Sequence, residues 1–291
     1  MIGIVCHDIF HTLFHPAGRG AFSDRISRVI WSLIRALAKI WRRLITLGGP
    51  LIFISIVSAW AFLIAFGFAL IYRTDMQAFA VAPGMDPAKH TGFADALNIS
   101  LGSLISLAGD FNSRSKLFRL LMGIEAVLGF GLLTAAVSWL LSIYPVLEQR
   151  HSLAHQASLM HGAERLTGIS ILSLGSLELH TTITEMTTEV VILRNSMAQF
   201  PVSYYFCADD EKMSLPVILE YIRRIGSGAS ESHDPAIRLA GTMLGGAVID
   251  FLRLVADVYL DTPADDASAV VRAYAKDHLH DLMLYEAQIS F

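Results

Sequence analysis

Two long apolar runs constrain the fold of this chain more than any other feature of its sequence. The first extends from Leu51 to Tyr72 without a charged residue, and the second has a charge-free part from Ala126 to Leu147. Each is about 22 residues long, which at 1.5 Å per residue is enough to cross a hydrocarbon core of about 30 Å. Soluble helices are rarely apolar on all sides over such a length. The two runs therefore predict two transmembrane helices.

The composition and the rest of the pattern point to helices throughout. Apolar residues make up 54% of the chain and charged residues 16%, with a mean hydropathy of +0.52. This is more apolar than an ordinary soluble domain. After the second run, helical periodicity recurs at about 151–164, 168–198, 213–226, 234–261 and 265–287, without β-type alternation. We expect an all-α membrane protein.

Basic residues cluster before the first apolar run. There, Arg19, Arg25, Arg28, Arg35, Lys39, Arg42 and Arg43 outnumber Asp8 and Asp24. The positive-inside rule places this segment in the cytoplasm. Two crossings return the chain to the same side, so both termini are expected there and the segment from Tyr72 to Lys116 outside. The prediction is a multi-pass protein of the cell membrane.

Three regions are expected from these patterns. Residues 1–47 form N-terminal cytoplasmic or interfacial helices, and residues 148–291 form a helical cytoplasmic domain. Between them, residues 48–147 form a transmembrane domain with spans at about 51–72 and 117–144.

The basic N-terminal region leaves two alternatives open. From Asp24 to Leu47 the pattern is amphipathic, with apolar and basic residues on different sides of a helix. Such a helix either lies in the membrane interface with its basic side chains on anionic lipids, or packs on the C-terminal domain. Upstream, His7, His11 and His15 share one helical face, which is compatible with a metal site or with polar side chains near the interface.

The segment between the two apolar runs is too short to cross the membrane. Thr91–Ile105 is moderately apolar and rich in small residues, as a re-entrant half-helix would be. Backbone at membrane depth is tolerated only where protein or a wet cavity surrounds it. This segment therefore needs partners, which oligomerisation would supply.

From Leu51 to Tyr144 the chain resembles the prokaryotic two-transmembrane potassium-channel-like proteins. The most specific stretches are Phe93-Ala-Asp-Ala-Leu97, Ser106-Leu-Ala-Gly-Asp110 and the inner-helix stretch from Arg119 to Gly131. The resemblance implies a homotetramer and a two-transmembrane pore-loop fold, in which residues 48–147 are the pore domain and residues 92–110, approximately, its pore helix and filter. Within that family, the chain is similar to a subgroup in which the pore module carries a helical C-terminal domain.

The resemblance also implies a selectivity filter that is shorter than usual. Family filters read Thr-Val-Gly-Tyr-Gly-Asp, and here the positions are filled by Ser106, Leu107, Ala108, Gly109 and Asp110. Ala108 alone covers a Gly-Tyr pair, so one ring of carbonyls and one glycine are missing. Asp110 would place a ring of negative charge at the outer mouth of a tetramer, or alternatively cap a helix or loop.

Three residues of the second apolar run are candidates for gating or support. Glu125 is a carboxylate inside the membrane segment, where charged groups face protein or water. It either acts in gating or permeation, or supports the structure by accepting hydrogen bonds from the pore helix or by pairing with Arg119. Gly129 and Gly131 would supply either a hinge, as in related channels, or close helix packing.

Other chemistries have no signature in the sequence. There is no phosphate-binding loop, dinucleotide fingerprint, zinc helix or nucleophile elbow, so no enzyme activity, cofactor or metal site is expected. Cys6 and Cys207 fall in different regions and do not indicate a disulfide framework. No nucleic-acid partner is expected either.

The leading functional hypothesis is a cation channel that passes permeant monovalent cations, K⁺ among them, down their electrochemical gradient. A channel-derived membrane scaffold or sensor that does not conduct is the first alternative. The second is a peripheral signalling protein whose C-terminal domain binds a partner.

Overall fold

The structure is a computed structural model that describes residues 2–14, 20–81, 91–106, 111–207, 214–260 and 262–280. It contains two compact units. The first unit consists of Met1–Arg28 and Leu51–Ser142, and the second consists of Val29–Pro50 and Ile143–Phe291. Both units combine an N-terminal piece with a later part of the chain, whereas the sequence suggested boundaries near residues 47 and 147.

Helices account for nearly all of the secondary structure in the described residues. The α-helices are α1 (Ile2–Phe14), α2 (Ala21–Ala38), α3 (Gly48–Tyr72), α4 (Phe93–Leu104), α5 (Lys116–Thr167), α6 (Ser176–Gln199), α7 (Leu215–Ser230), α8 (Pro235–Tyr259) and α9 (Ala267–Asp277). Short 3₁₀ helices lie at Arg42–Leu47, Arg73–Ala78, Ile171–Ser173 and Pro201–Tyr205. This agrees with the expected all-α class.

Three helical segments are long and apolar enough to cross a membrane. They are Arg42–Ala78, which contains α3, then α5, and then α8. The first two coincide with the predicted spans. The third was expected to belong to the C-terminal domain, and α8 buries Leu244, Val248 and Phe251 in the core of the second unit.

Helix α5 is longer than the predicted second span. It continues through Pro145 to Thr167, so the span and the first helix of the C-terminal domain form one helix. Ile143 and Val146 on either side of the proline are buried. Their packing favours a continuous helix, although proline removes one backbone hydrogen bond from it.

Two short strands were not anticipated from the sequence. Strand β1 (Phe79–Val81) pairs antiparallel with β2 (Phe111–Ser113), in a register that sets Phe79 opposite Ser113 and Val81 opposite Phe111. Three residues are too few to show the two-residue alternation by which strands are recognised. The pairing joins the chain just after α3 to the chain just before α5.

The second unit is a helical domain with an apolar core. Helices α6, α7, α8 and α9 bury apolar side chains in this core, including Ile183, Ile222, Phe251 and Val270. On α2, Trp31, Ile34 and Ala38 are buried as well, at helical spacing. The end of α2 is therefore a structural part of this domain, as one of the two alternatives proposed.

Candidate functional site

Helix α4 is the element on which the predicted site depends. It begins after Gly92, whose N–H donates to the carboxylate of Asp95 over 3.1 Å, and this contact closes its first turn. At 12 residues it is about 18 Å long, which is too short to cross a bilayer. Its buried side facing the rest of the first unit consists of Ala96, Ile99, Ser100, Ser103 and Leu104.

The carboxylate of Glu125 joins three helices. Glu125 is fully buried in α5 and accepts a hydrogen bond of 2.7 Å from the hydroxyl of Tyr72, at the end of α3. It also accepts a hydrogen bond from Ser100 on α4. The hydroxyl of Ser100 lies 2.8 Å from the carbonyl oxygen of Ala65 on α3. An ionisable group in an apolar interior requires such partners.

This geometry bears on the alternatives for Glu125. Its oxygens contact the predicted pore helix and the end of the first span, while Arg119 is exposed. The contacts are those of the structural alternative, in which the pore helix donates a hydrogen bond to Glu125. The sequence identified the carboxylate but did not identify Tyr72 or Ser100 as its partners, because both lie on other helices, 53 and 25 residues away along the chain.

Gly129 and Gly131 differ in their surroundings. A Cβ atom added to Gly129 would overlap the carbonyl oxygen of Leu104, so this glycine permits close contact between α5 and the end of α4. A Cβ on Gly131 would meet no atom within 4 Å. Close packing is thus the role that the contacts support for Gly129, and they assign none to Gly131.

Replacing Gly129 with alanine is therefore expected to destabilise the first unit by about 2 kcal/mol, because a backbone carbonyl cannot move aside as a flexible side chain can. Thermal unfolding of the purified protein in detergent measures the effect. The matched variant Gly131→Ala should change stability by less than about 1 kcal/mol, since alanine favours the helix and has room. Equal effects of both substitutions would refute the packing role of Gly129.

Most of the predicted filter falls outside the described residues. Leu107, Ala108, Gly109 and Asp110 belong to that part of the chain, so their predicted roles remain predictions. Ser106 is described: it is exposed, follows the last turn of α4 and has a φ of 56°. Its N–H donates to the carbonyl of Ser103 over 3.0 Å, as in an α-helix whose C-terminus is followed by a residue in the left-handed backbone conformation.

The N-terminal histidines form a pair on α1. The ring centroids of His7 and His11 are 4.4 Å apart, and His15 lies outside the described residues. Within the described parts of the chain, no three side chains among His, Cys, Asp and Glu are arranged to hold a metal ion.

A buried carboxylate on α1 was not singled out by the sequence. Asp8 accepts hydrogen bonds from the N–H groups of Phe22 at 3.0 Å and Ser23 at 3.3 Å, in the first turn of α2. It also accepts one of 2.9 Å from Nε1 of Trp60 in α3. A carboxylate at a helix N-terminus satisfies free N–H groups and is favoured by the helix dipole. Asp8 therefore fixes α1, α2 and α3 together.

A second buried carboxylate organises the second unit. Asp277, the last residue of α9, accepts hydrogen bonds from Nε1 of Trp31 at 2.8 Å and from the hydroxyl of Tyr204 at 2.7 Å. It also forms an ion pair with Arg35. Nothing in the local sequence indicates these contacts, because Trp31 and Arg35 precede the first span and Asp277 lies more than 240 residues later.

Next to Asp277, a half-buried thiol lies against a buried imidazole. The sulfur of Cys207 lies 3.4 Å from Nδ1 of His278, and Arg150 donates to the carbonyls of Ser203 and Phe206 close by. Burial raises the pKa of Cys207 from 9.0 to about 12. Burial and the charge of Arg150 hold the pKa of His278 well below its ordinary value of 6.5. Both groups are thus neutral at pH 7, and the pair is not an activated nucleophile.

These two pKa shifts predict the pH range in which the second unit is most stable. Below about pH 6.5 the unfolded chain protonates His278 while the folded chain does not, so acid favours unfolding. Above about pH 9 the unfolded chain loses the Cys207 proton that the folded chain keeps, so alkali does the same. Hydrogen-exchange protection of α9, corrected for intrinsic rates, should therefore be greatest between these values. Cys207→Ser should delay the alkaline loss of protection to about pH 10, where the unfolded chain begins to ionise Tyr204 and Tyr274, whose pKa values burial raises in the folded chain. The acid loss should remain, and an alkaline loss that still begins near pH 9 would contradict this explanation.

Comparison with known proteins supports membrane localisation. Over 149 residues the chain is 24% identical to the uncharacterized membrane protein YdjJ of Bacillus subtilis (strain 168). The match covers 50% of this chain and 42% of YdjJ, so the chain spans less than half the length of that relative. No protein-family description and no solved structure matches. Together with its long apolar helices, this similarity indicates a membrane protein with transmembrane helices.

Proposed function

We propose that this protein is a membrane channel for monovalent cations in which α4 is a re-entrant pore helix between two crossing helices. One observation carries the proposal: a helix too short to cross is held between α3 and α5 by Ser100, Glu125 and Gly129. Strands β1 and β2 then bring both flanks of this segment to the same end of α3.

The depth reached by α4 supports this assignment. The end of α4 contacts Gly129, which lies 13 residues after Lys116 at the start of α5. This corresponds to about 20 Å along the helix axis. The chain then returns to β2, directly before Lys116. A segment that enters deeply and leaves at the same end is the geometry of a pore loop.

The Asp277 contacts support a membrane topology with two crossings. Helix α2 precedes α3, whereas α9 follows α3, α5 and α8, yet Arg35 on α2 pairs with Asp277 on α9. Residues in contact outside the membrane lie on one side, so the number of crossings between them is even. Since α8 is packed in the second unit and carries the Asp250 partner of Arg194, α3 and α5 are the two crossing helices. The basic residues before α3 favour the cytoplasmic side.

The exposed surface of α5 supports assembly. In its most apolar stretch 17% of the residues are buried, against 44% for the segment containing α3. Val127 is 72% exposed and Phe130 is 69% exposed, in the same part of α5 as Glu125. In a homotetramer, α5 would cover part of this surface with neighbouring subunits and line a central cavity with the rest. A re-entrant helix also needs such neighbours.

In this proposal, permeation is passive. Carbonyl groups of residues 106–110 replace part of the hydration shell of the ion, and the ring of Asp110 carboxylates attracts cations. Because the filter is one residue shorter than that of a potassium channel, we expect weaker discrimination between K⁺ and Na⁺. Helix α4, positioned through Glu125, sets the entrance to this constriction.

Cation flux through liposomes tests the proposed function directly. Purified full-length protein should release K⁺ from loaded vesicles under a potential set by an ionophore, and Asp110→Asn should reduce the rate by weakening cation attraction. Ala108→Gly should alter the K⁺-to-Na⁺ ratio, because glycine relaxes the backbone there. Assembled protein that passes neither ion over a range of voltage and pH would refute the channel and favour the non-conducting scaffold.

We also propose that the exposed face of α2 contacts anionic lipid at the membrane interface. While Trp31, Ile34 and Ala38 are buried, the opposite side exposes Val29, Leu33, Leu37 and Ile40. The exposed basic residues that flank this apolar face are Arg25, Arg28, Lys39, Arg42 and Arg43. An apolar face bordered by cations is suited to a leaflet with anionic headgroups.

The neutral variant Lys39→Gln/Arg42→Gln/Arg43→Gln should weaken this lipid preference. In lipid-exchange measurements the wild-type protein is expected to enrich phosphatidylglycerol over phosphatidylcholine around it, and the variant to lose about 1 kcal/mol of preference per charge near the surface. High salt should reduce the wild-type preference, since the attraction is electrostatic. Equal enrichment by both proteins would rule out this role for α2.

A further inference from the structure

The segment Pro201–Phe206, called the aromatic segment below, is fixed in the core of the second unit. The four residues between its ends are buried. The ring of Tyr204 stacks on Tyr259 of α8 and on Tyr274 of α9, with centroids 4.0 Å and 5.3 Å apart. The Tyr204 hydroxyl donates to Asp277, and the Tyr259 hydroxyl donates to the first carbonyl of the segment over 3.0 Å. The position of the segment is therefore set by α8 and α9.

Helix α5 holds the aromatic segment from a second side. Arg150 is buried, and its guanidinium donates to the carbonyl of Ser203 over 3.0 Å and to that of Phe206. The planar guanidinium offers several N–H groups in fixed directions, so it binds two carbonyls at once, whereas a lysine acts as a point charge. Arg150 lies three residues after Leu147, the last residue of the charge-free run. The aromatic segment is thus bound to α5 close to the point where the predicted span ends.

The aromatic segment also packs on the start of α3. Gly48 and Gly49, the first two residues of that helix, are buried. A Cβ atom on Gly49 would overlap the ring of Phe206. One on Gly48 would overlap the ring of Trp31 and lie 3.1 Å from the carbonyl oxygen of Tyr205. Glycine is needed at both positions because the rings lie directly against the backbone. Phe206 therefore contacts α3 through its ring and α5 through its carbonyl.

We propose that the aromatic segment couples the two crossing helices, with Arg150 as the residue that positions it. Arg150 holds the segment on α5, and the ring of Phe206 transmits this position to Gly49 at the start of α3. All of these contacts lie within the second unit, so the C-terminal domain acts on α3 and α5 together. The inference rests on the proposed crossing of both helices. In the proposed channel the coupling restrains α5, which lines the cavity.

Hydrogen exchange at the start of α3 tests the coupling in the full-length protein in detergent. In an α-helix the amides of Ile52 and Phe53 donate to the carbonyls of the two glycines, so their exchange reports whether this turn is held. Arg150→Met removes both hydrogen bonds to the segment and should lower the protection of these amides about tenfold, since a charge-assisted hydrogen bond contributes about one decade or more. Arg150→Lys, which keeps the charge without the planar group, should lower it less. Unchanged protection in Arg150→Met would overturn the coupling.

Two further variants separate the coupling from a general loss of structure. Phe206→Leu removes the ring on Gly49 and leaves Arg150 in place, so it should lower the same protection while α8 stays protected. Arg194→Met removes an ion pair with Asp250 between α6 and α8 in the same domain, and it should leave the start of α3 unchanged. An equal loss at the start of α3 in Arg194→Met would show a general effect and overturn the inference. Full protection in Phe206→Leu would also overturn it, even if Arg150→Met unfolds the domain.

A double-mutant cycle tests whether Arg150 acts through Phe206. Gly49→Ala places a methyl group against the Phe206 ring and should itself lower protection at the start of α3. If both residues act through this ring, Arg150→Met/Gly49→Ala should lose less protection than the product of the two single losses. The control cycle with Arg194→Met should give the product. A product in both cycles would show that Arg150 and Gly49 act independently, against the proposal.

Cation flux in liposomes distinguishes failure of the coupling from failure of the channel. In the proposed channel, Phe206→Leu should raise K⁺ flux about tenfold, the same factor by which the restraint on α5 is weakened. A wild-type protein without flux would refute the channel, while the exchange results would still decide the coupling. Unchanged flux in a Phe206→Leu variant that has lost protection would refute the restraint on α5 alone.

Discussion

Replacing Glu125 with alanine is expected to destabilise the first unit by about 2–3 kcal/mol, because the Tyr72 hydroxyl loses its acceptor in a buried site and the Ser100 hydroxyl keeps only the Ala65 carbonyl. In the proposed channel the same change should lower cation flux about tenfold or more, since 1.4 kcal/mol corresponds to one decade in population and α4 is no longer held. Unfolding in detergent and liposome flux measure the two effects. Of the substitutions considered within the membrane region, this one removes the most contacts at once.

Single substitutions of the two hydrogen-bond donors, Tyr72 and Ser100, separate the contributions of their contacts with Glu125. Tyr72→Phe and Ser100→Ala each remove one donor and should cost about 1 kcal/mol, a typical value for hydrogen bonds between membrane helices. Glu125→Gln keeps one acceptor and should lie between these variants and alanine. Arg119→Ala serves as the control, because Arg119 is exposed on the same helix and should leave both stability and flux unchanged. If Glu125→Ala resembled this control, Glu125 would have no supporting role.

Replacing Arg35 with methionine is expected to destabilise the second unit by about 2–3 kcal/mol. The change leaves the carboxylate of Asp277 buried without its cation, at the C-terminus of α9 where the helix dipole disfavours negative charge. Arg35 is itself 39% exposed, so the effect lies below that of a fully buried pair. Hydrogen exchange in α9 and resistance of the C-terminal domain to trypsin measure it.

A matched pair on the same helix provides the control. Arg28 and Asp24 also form an ion pair on α2, but Arg28 is 70% exposed, so Arg28→Met should cost less than about 1 kcal/mol. Asp277→Ala removes the acceptor of Trp31 and Tyr204 as well, and should cost about 3 kcal/mol. In the double variant Arg35→Met/Asp277→Ala the losses should be smaller than their sum. Additive losses would show that the two residues act independently.

Much of the helical architecture could be predicted because its signals are local. The charge-free runs identified α3 and the span in α5, and helical periodicity identified α6 to α9. Helix α6 nevertheless begins at Ser176 and not near residue 168, and α9 ends at Asp277, before the predicted end near residue 287. The short length of α4 was also evident from the residues around it. The strands β1 and β2 were missed, because their pairing joins residues 30 to 34 positions apart and each strand is too short to carry a pattern.

The candidate site could be predicted only in part. Glu125 attracted attention because a carboxylate in an apolar run requires partners, and that requirement is visible in the sequence. The identity of its partners was not visible, since Tyr72 and Ser100 come from two other helices. The same holds for Asp8. In the sequence it is one charged residue near the N-terminus, and only the structure shows that Trp60 and the first turn of α2 donate hydrogen bonds to it.

The sequence alone determined the class of the protein, the positions of its apolar helices and the need to bury a short segment between them, because hydrophobic periodicity and length are properties of neighbouring residues. Only the tertiary structure decided which polar groups meet: Asp8 with Trp60, Glu125 with Tyr72 and Ser100, and Asp277 with Trp31 and Arg35. Each carboxylate is held in a buried site by donors from distant parts of the chain. Such pairs are fixed by the geometry of packing, since a buried polar group must find its partner wherever the fold places one.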